Sequence, residues 1–465
     1  MTATTAASNS LTSPSSQPPP GPRGWPLVGH LPQVTREGLL PFMARTWRTW
    51  GDVFALDVGF HAVVVAHPEG IKRILAGNAK NYIKGVTYDG VRKVIGNGVL
   101  ALEGDAWKKR RALLQPAFHR AALGKLTEAM VDSGARHFDA LLAANRGAAF
   151  TLDAHRDMVK LTLDVVVAAL FGRELVGAAD LSYEALGAAL ELVGEQGNGV
   201  VLPSWVPTPS NRKFHRTMKE VDAAVFKVIE AGRKRDGTDG TLLSMLMGSR
   251  DADTGEPLSD RDLRDEVFTM FVAGHETTAL TLTWMFTLLD GRDDVLSAMR
   301  EEVDRVLGDR DPTFEDVPKL VYLRQVVDET LRLRGPVAMN ARNAVDDDEV
   351  LGFRIKKGDV VMPFFYGAHR HPDFWEDPER FDPARFAPEH AQKRHLWSYV
   401  PFSNGQRRCI GDTFSLVETV VLLAQLLRRF ELTIAPGQDQ VKPVAIVTVR
   451  PDRPVHITLK ARVRS

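Results

Sequence analysis

The sequence predicts a mainly α-helical protein with a smaller β region, and three observations lead there. Helical patterning dominates from Arg120 to Lys234, and the stretch SDRDLRDEVFTMFVAGHETTALTLTWMFTLLD has the apolar spacing of one long helix crossing a core. Alternating, β-branched segments are confined to short stretches near the start and in the last third. At 465 residues the chain is long enough for one large domain or for two or three ordinary ones. With 59 basic and 59 acidic residues the net charge is +0, which provides no overall field for nucleic acid or an anionic membrane. One Cys excludes an intramolecular disulfide and fits a reducing cytosol.

Taken in order, residues 1–22 are small, polar and proline-rich and are expected to form a disordered tail, with residues 23–465 forming the folded domain. The tail lacks the charged start and apolar run of a signal peptide, and no later stretch reaches the roughly 18 apolar residues of a membrane span. The expectation is a cytoplasmic protein without a membrane anchor. FALDVGF and HAVVVAH, with Gly59 between them, read as two antiparallel strands. Residues 81–104 are rich in glycine and read as a long, loosely structured connection. GDAWKKRRALLQPAFH starts a helix with Asp105 as its cap, and places Trp107 and Arg111 at i and i+4, able to reach a common partner. The break GNGVVLPSWVPTPSN, around residues 197 to 211, is too rich in Gly and Pro to be helical.

The long helix begins with cap-like Ser259 and Asp262, and its middle, AGHETT, conflicts with its apolar context. Gly274, Thr277 and Thr278 are poor helix formers, and His275 and Glu276 bring ionisable groups into the run. Such conflict is expected where function overrides folding. Gly274 and Thr277 share a face, so a gap for a small ligand such as O2 would sit beside a hydroxyl, and Thr277 can compete for the carbonyl of Ala273. LVYLRQVVDETLRLRGP is an amphipathic helix with Glu329 and Arg332 within side-chain reach. AMNARNAV and FRIKKGDVVMPFF read as strands, HRHPDFWEDPERFDPARF as an irregular meander, and VAIVTVRPDRPVHITLKAR as a hairpin-like pair of strands.

The chemistry points to PFSNGQRRCIG. Cys409 lies among Gly405, Arg407 and Gly411; Asn404 and Gly405 can turn the backbone tightly, and Gly411 would let a flat ligand approach. One Cys cannot build a zinc site or an iron–sulfur cluster unaided, but a haem iron needs only one protein ligand on its proximal side. Phe402, Gly405, Arg407, Cys409 and Gly411 resemble the haem-binding signature of the cytochrome P450 monooxygenases.

The resemblance implies a single large domain of the cytochrome P450 fold, holding haem b by the Cys409 thiolate, of the soluble bacterial type. It implies that Trp107, Arg111, Arg342 and Arg407 anchor the haem propionates, and that Ala273, Gly274, Glu276 and Thr277 form the oxygen-activation motif. It further pairs Glu329 and Arg332 with Arg380 as a brace behind the haem loop. Val91, Val94, Ile95, Val99 and Leu100 would line the substrate pocket, with Pro336, Val337, Ala338, Met339, Ile446 and Val447. Val200, Val201, Leu202 and Trp205 would supply lid surface. The implied reaction inserts one atom of O2 into an apolar organic substrate such as a fatty acid or terpenoid, and the other leaves as water. NAD(P)H would serve only indirectly, through a ferredoxin or flavodoxin and its reductase, drawn to Lys108, Lys109, Arg110 and Arg408. A monomer is expected. The rival readings are a peroxide-using or rearranging haem-thiolate enzyme and a non-catalytic haem sensor.

Overall fold

The computed structural model describes residues 17–175, 208–234, 241–250 and 255–462, with the single residues 188 and 206. Residues Val200, Val201, Leu202 and Trp205, expected to supply lid surface, lie outside the described residues. The helices that place the site are α1 (Leu39–Trp50), α2 (Asp89–Ile95), α3 (Gly104–Leu114), α4 (Arg120–Ala144), α5 (Ala154–Val166), α6 (Pro209–Arg233), α7 (Asp260–Leu288), α8 (Asp293–Leu307), α9 (Val321–Arg334) and α10 (Asp412–Arg429).

The helix α7 runs through the middle of the molecule. Most of its residues from Leu263 to Thr287 are buried, with α5 along one side and α9 and α10 along others. Ser259 caps it, its hydroxyl accepting from the Asp262 N–H at 3.1 Å.

The strands are β1 (Val53–Asp57), β2 (His61–Val65), β3 (Tyr82–Ile83), β4 (Phe150–Asp153), β5 (Arg342–Ala344), β6 (Asp348–Val350), β7 (Phe353–Ile355), β8 (Val360–Pro363), β9 (Phe430–Ile434), β10 (Pro443–Ala445), β11 (Val449–Pro451) and β12 (His456–Ala461). The larger sheet has the order β1-β2-β8-β5-β3. The expected hairpin is there, with Val53 opposite Val65 and Asp57 opposite His61, and Gly59 takes φ +87 in the turn. Along β2, Ala62 and Val64 join the main core while Val63 and Val65 join a second cluster with Ile355, Val361 and Phe365. Burial on both faces explains why HAVVV is continuously apolar rather than alternating with polar residues.

Several boundaries differ from expectation. Residues 17–22, assigned to the tail by composition, lie against the fold: Gln17 pairs with Phe353, and the Ala55 N–H donates to Pro20 O at 2.7 Å. Proline-rich chain can edge a sheet through its carbonyls alone. Residues 81–104 are more regular than their glycines suggested, carrying β3 and α2, because Val94 and Ile95 anchor a helical turn in the core. The cap of α3 is Glu103 in extended conformation, not Asp105, which pairs with Lys108 at 2.8 Å. α6 starts at Pro209, capped by Thr208, inside the stretch read as a non-helical break. The final segment is not one hairpin: β10 pairs with β11, while β12 crosses to a second sheet between β4 and β9. Proline at 451 and 454 ends one pairing before the other begins.

Candidate functional site

Cys409 sits on the loop that feeds α10. Its N–H donates to Phe402 O at 3.0 Å, closing the loop, and Asn404 Oδ1 accepts from the Gly405 N–H at 2.8 Å. Gly405 is at φ +74, and a Cβ there would lie 2.2 Å from Leu75 O, so a side chain is excluded by both conformation and space. At Gly411 an added Cβ would meet only Phe118, at 3.8 Å, so the protein itself does not demand glycine there. Cys409 keeps accessible surface although protein encloses it, which means the sulfur faces an internal space rather than the outer surface. Burial pushes its thiol up from the ordinary value, opposed by the Gly411 N–H and by Arg111 and Arg408. A coordinated metal reverses that balance, since its charge deprotonates a liganding thiol outright.

Beside this loop lies a group of cations with too few anions. Arg407 donates to Glu103 at 2.6 Å and to Leu102 O at 2.9 Å, and its Cζ stands 3.7 Å from the centroid of the Trp107 ring. Arg342 is buried and donates to its own neighbour's carbonyl, Ala341 O, at 2.8 Å. Lys84 is buried too, with its ammonium on Leu100 O. Burial, with Arg407 and Arg342 alongside, pushes it down to about 7. Three cations thus face one carboxylate, Glu103. Buried charge is stable only when paired, and two further carboxylates, the number haem carries, complete this set. Lys84 escaped the sequence reading because a lone Lys in a connecting segment carries no signal; only the fold brings it to Arg342 and Arg407. The Arg111 guanidinium donates to Arg408 O at 2.6 Å, tying α3 to the cysteine loop.

Facing this region, α7 is buried from Val267 to Val272 and again from Thr278, yet Ala273 is exposed and Gly274 and Thr277 are partly so. A helix in mid-core shows surface there only because it borders an internal space. The Thr277 hydroxyl donates to Ala273 O at 2.9 Å, the competition expected from sequence. The expected gap at Gly274 is a different feature: an added Cβ would lie 2.9 Å from Val166 Cγ2, so this glycine lets α5 approach α7. Glu276 is buried and held by Arg450 of β11, at 2.5 Å, and by the Thr448 hydroxyl at 3.3 Å. His275 is turned into the core, its Nδ1–H donating to Phe271 O, while its carbonyl accepts from the Thr162 hydroxyl at 2.8 Å.

The remaining candidates divide. Val94 and Ile95, expected in the pocket, are fully buried core residues with no surface to offer a substrate, whereas Leu100, Ile446 and Val447 are exposed. Val91, Val99, Ala338 and Met339 pack at or against the main core, and Val337 against the second cluster. The Glu329–Arg332 pair is fully buried, with Nε to Oε2 at 2.6 Å. Arg332 also donates to Pro378 O at 2.6 Å and Arg380 O at 3.1 Å. The Arg380 side chain does not join them; it is exposed, 3.8 Å from Asp382, and the cation beside Glu329 is Arg385, at 3.6 Å. The Asp382 N–H also donates to Glu329 at 2.8 Å, and the Arg385 side chain beside it is only 14% exposed. Of the expected docking cations, Arg110 turns inward to Glu266 (2.8 Å) and Asp262 (3.0 Å), Lys108 pairs with Asp105 and Arg408 with Asp412.

Among the described residues, Asp52, His67 and His371 form the only close group of three such side chains able to ligate a metal. Nδ1 of His67 accepts from the Glu69 N–H and Nδ1 of His371 from the Asp373 N–H, which puts the ring protons on Nε2, and His371 gives its proton to Asp52 at 3.1 Å. No lone pairs converge there. Cys409 is therefore the candidate iron ligand, and the enclosed sulfur, the cations that outnumber the one carboxylate among them and the exposed turn of α7 fit haem.

The comparisons agree. The family model described as Cytochrome P450 matches residues 19–458. Cyclooctatin synthase of Streptomyces melanosporofaciens is 32% identical over 90% of this chain and 90% of its own, and pentalenene oxygenase of Streptomyces avermitilis 31% over 95% and 97%. The crystal structure of the cytochrome P450DA heme domain superposes with a TM-score of 0.86 at 27% identity, covering 96% of this chain and 98% of that one. The chain belongs to the cytochrome P450 family and is a haem-using P450 monooxygenase.

Proposed function

We propose that this monooxygenase hydroxylates or epoxidises an apolar, terpenoid-type substrate at a haem b held by Cys409, with electrons from a ferredoxin or flavodoxin and its reductase. Fatty acids are the second substrate class. The observation that carries the haem assignment is the cation set beside the Cys409 loop, buried Lys84 and Arg342 with half-buried Arg407, facing only Glu103. The substrate class rests on the relatives named for pentalenene and cyclooctatin, together with the apolar residues Leu100, Met339, Ile446 and Val447.

The haem, when bound, supplies the iron that takes up and reduces O2. The chain supplies the rest. Arg342, Arg407 and Lys84 would hold its propionates, with the Trp107 ring against Arg407. The Thr277 hydroxyl holds a proton at Oγ1 beside the exposed turn, and Glu276 holds negative charge at Oε1 against Arg450. No helix among the described residues is long and apolar enough to cross a membrane. A cytoplasmic location and a monomeric state are part of the proposal.

Reduction under carbon monoxide tests the reading. The holoprotein is expected to give the red-shifted absorption of thiolate ligation, and Cys409→Ser to lose it; a band that survives the serine overturns the assignment. Screening terpenoids and fatty acids for the Soret shift as iron loses its water, with product analysis, then identifies the substrate. A peroxide-driven reaction is the second reading, favoured by one observation: the Glu276 carboxylate is engaged by Arg450 and Thr448 rather than by the Thr277 hydroxyl. Comparing peroxide-driven with reductase-driven rates separates the two.

A further inference from the structure

A π-helical turn, Arg73–Gly77, packs against residues 405–407 of the cysteine loop. Such a turn carries one residue more than an α turn and is seldom kept without a cause. Its defining bond runs from the Asn78 N–H to Arg73 O, at 2.7 Å. The side chains of those same two residues meet on one carboxylate: Asp348 Oδ1 accepts from Arg73 Nη2 at 2.7 Å, and Oδ2 from Asn78 Nδ2 at 3.0 Å. The Tyr82 hydroxyl donates to Oδ2 as well, at 2.7 Å. Burial alone would raise the Asp348 carboxyl, but its bonds from Arg73, Tyr82 and Asn78 hold it down at about 2, so it stays charged.

The clamp matters because of what the turn carries. Ile74 and Leu75 are buried in the second apolar cluster with Trp397 and Val400, and the Leu75 carbonyl oxygen would lie 2.2 Å from a Cβ added at Gly405. Leu75 O therefore bounds the left-handed position at Gly405, four residues before Cys409. If the turn relaxed to α geometry, its carbonyls would shift by about one residue, roughly 1.5 Å along the axis, and Gly405 would lose this support. Tyr82 does not depend on Asp348 in the same way. It pairs with Ala344 between β3 and β5, and its neighbour Asn81 exchanges bonds with Asp346, donating to Asp346 O at 2.9 Å and accepting from the Asp346 N–H at 2.8 Å. Of the bonds to Asp348, those from residues 73 and 78 are the ones that reach the cysteine loop.

We infer that Asp348 is a positioning residue for Cys409, clamping both ends of the 73–77 turn so that Leu75 O keeps Gly405, and with it the sulfur, in place for the iron. This rests on the proposed reading that Cys409 ligates haem.

The test uses the full-length holoprotein and Asp348→Asn, which keeps the shape but puts a donor in place of one accepting oxygen, so that it cannot serve both ends of the turn. In the reduced protein under carbon monoxide, the thiolate band is expected to convert to the shorter-wavelength band of a displaced or protonated sulfur about tenfold faster, the scale of one hydrogen bond to a charged group. Hydrogen exchange at residues 73–78 rises with it. Arg73→Gln, at a side chain 47% exposed, reproduces both changes and carries the test should Asp348→Asn not fold. Tyr82→Phe, which removes a bond to the same carboxylate but leaves the clamp, converts at the parent's rate. Asp316→Asn controls for lost stability, because Asp316 is a buried carboxylate that serves Arg310, Thr313 and Lys319. It is expected to lower the thermal midpoint and leave the conversion rate unchanged. Parent-like conversion and exchange in both Asp348→Asn and Arg73→Gln overturn the proposal. So does conversion in Asp316→Asn as fast as in Asp348→Asn at an equal fall in midpoint, which marks general loosening. If the parent itself lacks the thiolate band the haem reading fails, while exchange at residues 73–78 still reports on the clamp, so the two failures are told apart.

Discussion

Arg407 stands over Trp107, its Cζ 3.7 Å from the ring centroid, and this contact joins the cysteine loop to α3. The stack points the guanidinium at Glu103 and the Leu102 carbonyl and keeps it beside Arg342 and Lys84. Arg111, one turn along α3 from Trp107, reinforces it by binding the carbonyl of Arg408. The helix therefore holds the loop twice, once by a ring and once by a charge.

Lys84 is the least expected member of that group and gives the first prediction. Its ammonium is pushed down to about 7 by burial and by the neighbouring arginines, so an anion placed among them raises it and is held more tightly in return. Lys84→Met is expected to speed haem loss to a scavenger protein by about tenfold or more, the scale of a hydrogen bond to a charged group. Lys80→Met, four residues away on an exposed side chain, is the control and leaves the rate unchanged. Equal rates in both variants remove Lys84 from propionate binding.

The brace behind the loop separates two arginines that sequence alone could not. Arg332 is fully buried and serves Glu329 and the carbonyls of His369, Pro378 and Arg380. Arg332→Ala strands the Glu329 carboxylate and leaves several buried carbonyls unmet, at a cost of about 3–5 kcal/mol. Little or no folded holoprotein is expected. Arg380→Ala removes an exposed side chain while the backbone carbonyl that Arg332 uses remains, and is expected to shift stability by less than about 0.5 kcal/mol. Haem content and the thermal midpoint check both.

What was legible in the sequence follows from how local the physics is. The cap at Ser259 and the back-bonding of Thr277 depend on residues within four positions, and the hairpin about Gly59 pairs residues no more than twelve apart, so spacing revealed them. Contacts across the fold were not readable that way. Nothing near Gly274 announces Val166 as its neighbour, and nothing near Arg110 announces the carboxylates of α7. Charge runs such as KKRR look like solvated faces, and only tertiary structure shows that one member turns inward. The same holds for Glu276, whose partner Arg450 is 174 residues away.

Thr277 provides the third prediction. Its hydroxyl is the polar group on the exposed turn of α7 and donates to Ala273 O. Thr277→Val keeps the branched shape without the proton, and product formed per NAD(P)H consumed is expected to fall by roughly tenfold, the value of one lost hydrogen bond of about 1.4 kcal/mol, with peroxide released instead. Thr277→Ser retains the hydroxyl and is expected to stay well coupled. If the valine variant couples as well as the parent, the proton must come by another route, and Glu276 with Arg450 becomes the group to alter.

Glu266 gives a prediction about pH. It is wholly buried on α7, bonded to Arg110 through Oε1 while Oε2 has no partner. Burial pushes its carboxyl from 4.5 up to about 7, outweighing the opposing pull of Arg110 and of the Val99 N–H. A carboxyl raised on folding binds its proton more tightly in the folded state. Its contribution to stability is full below the unfolded value and is lost as pH rises through about 7. Glu266→Gln keeps the shape and cannot ionise. Between pH 5 and pH 8 its stability relative to the parent is expected to improve by roughly 2–3 kcal/mol, read from denaturant midpoints at each pH. At pH 5 the two proteins differ chiefly by the altered bond to Arg110. A difference that stays constant across this range would mean that Arg110 keeps Glu266 ionised throughout, and that the ion pair, not burial, sets the charge at the start of α7.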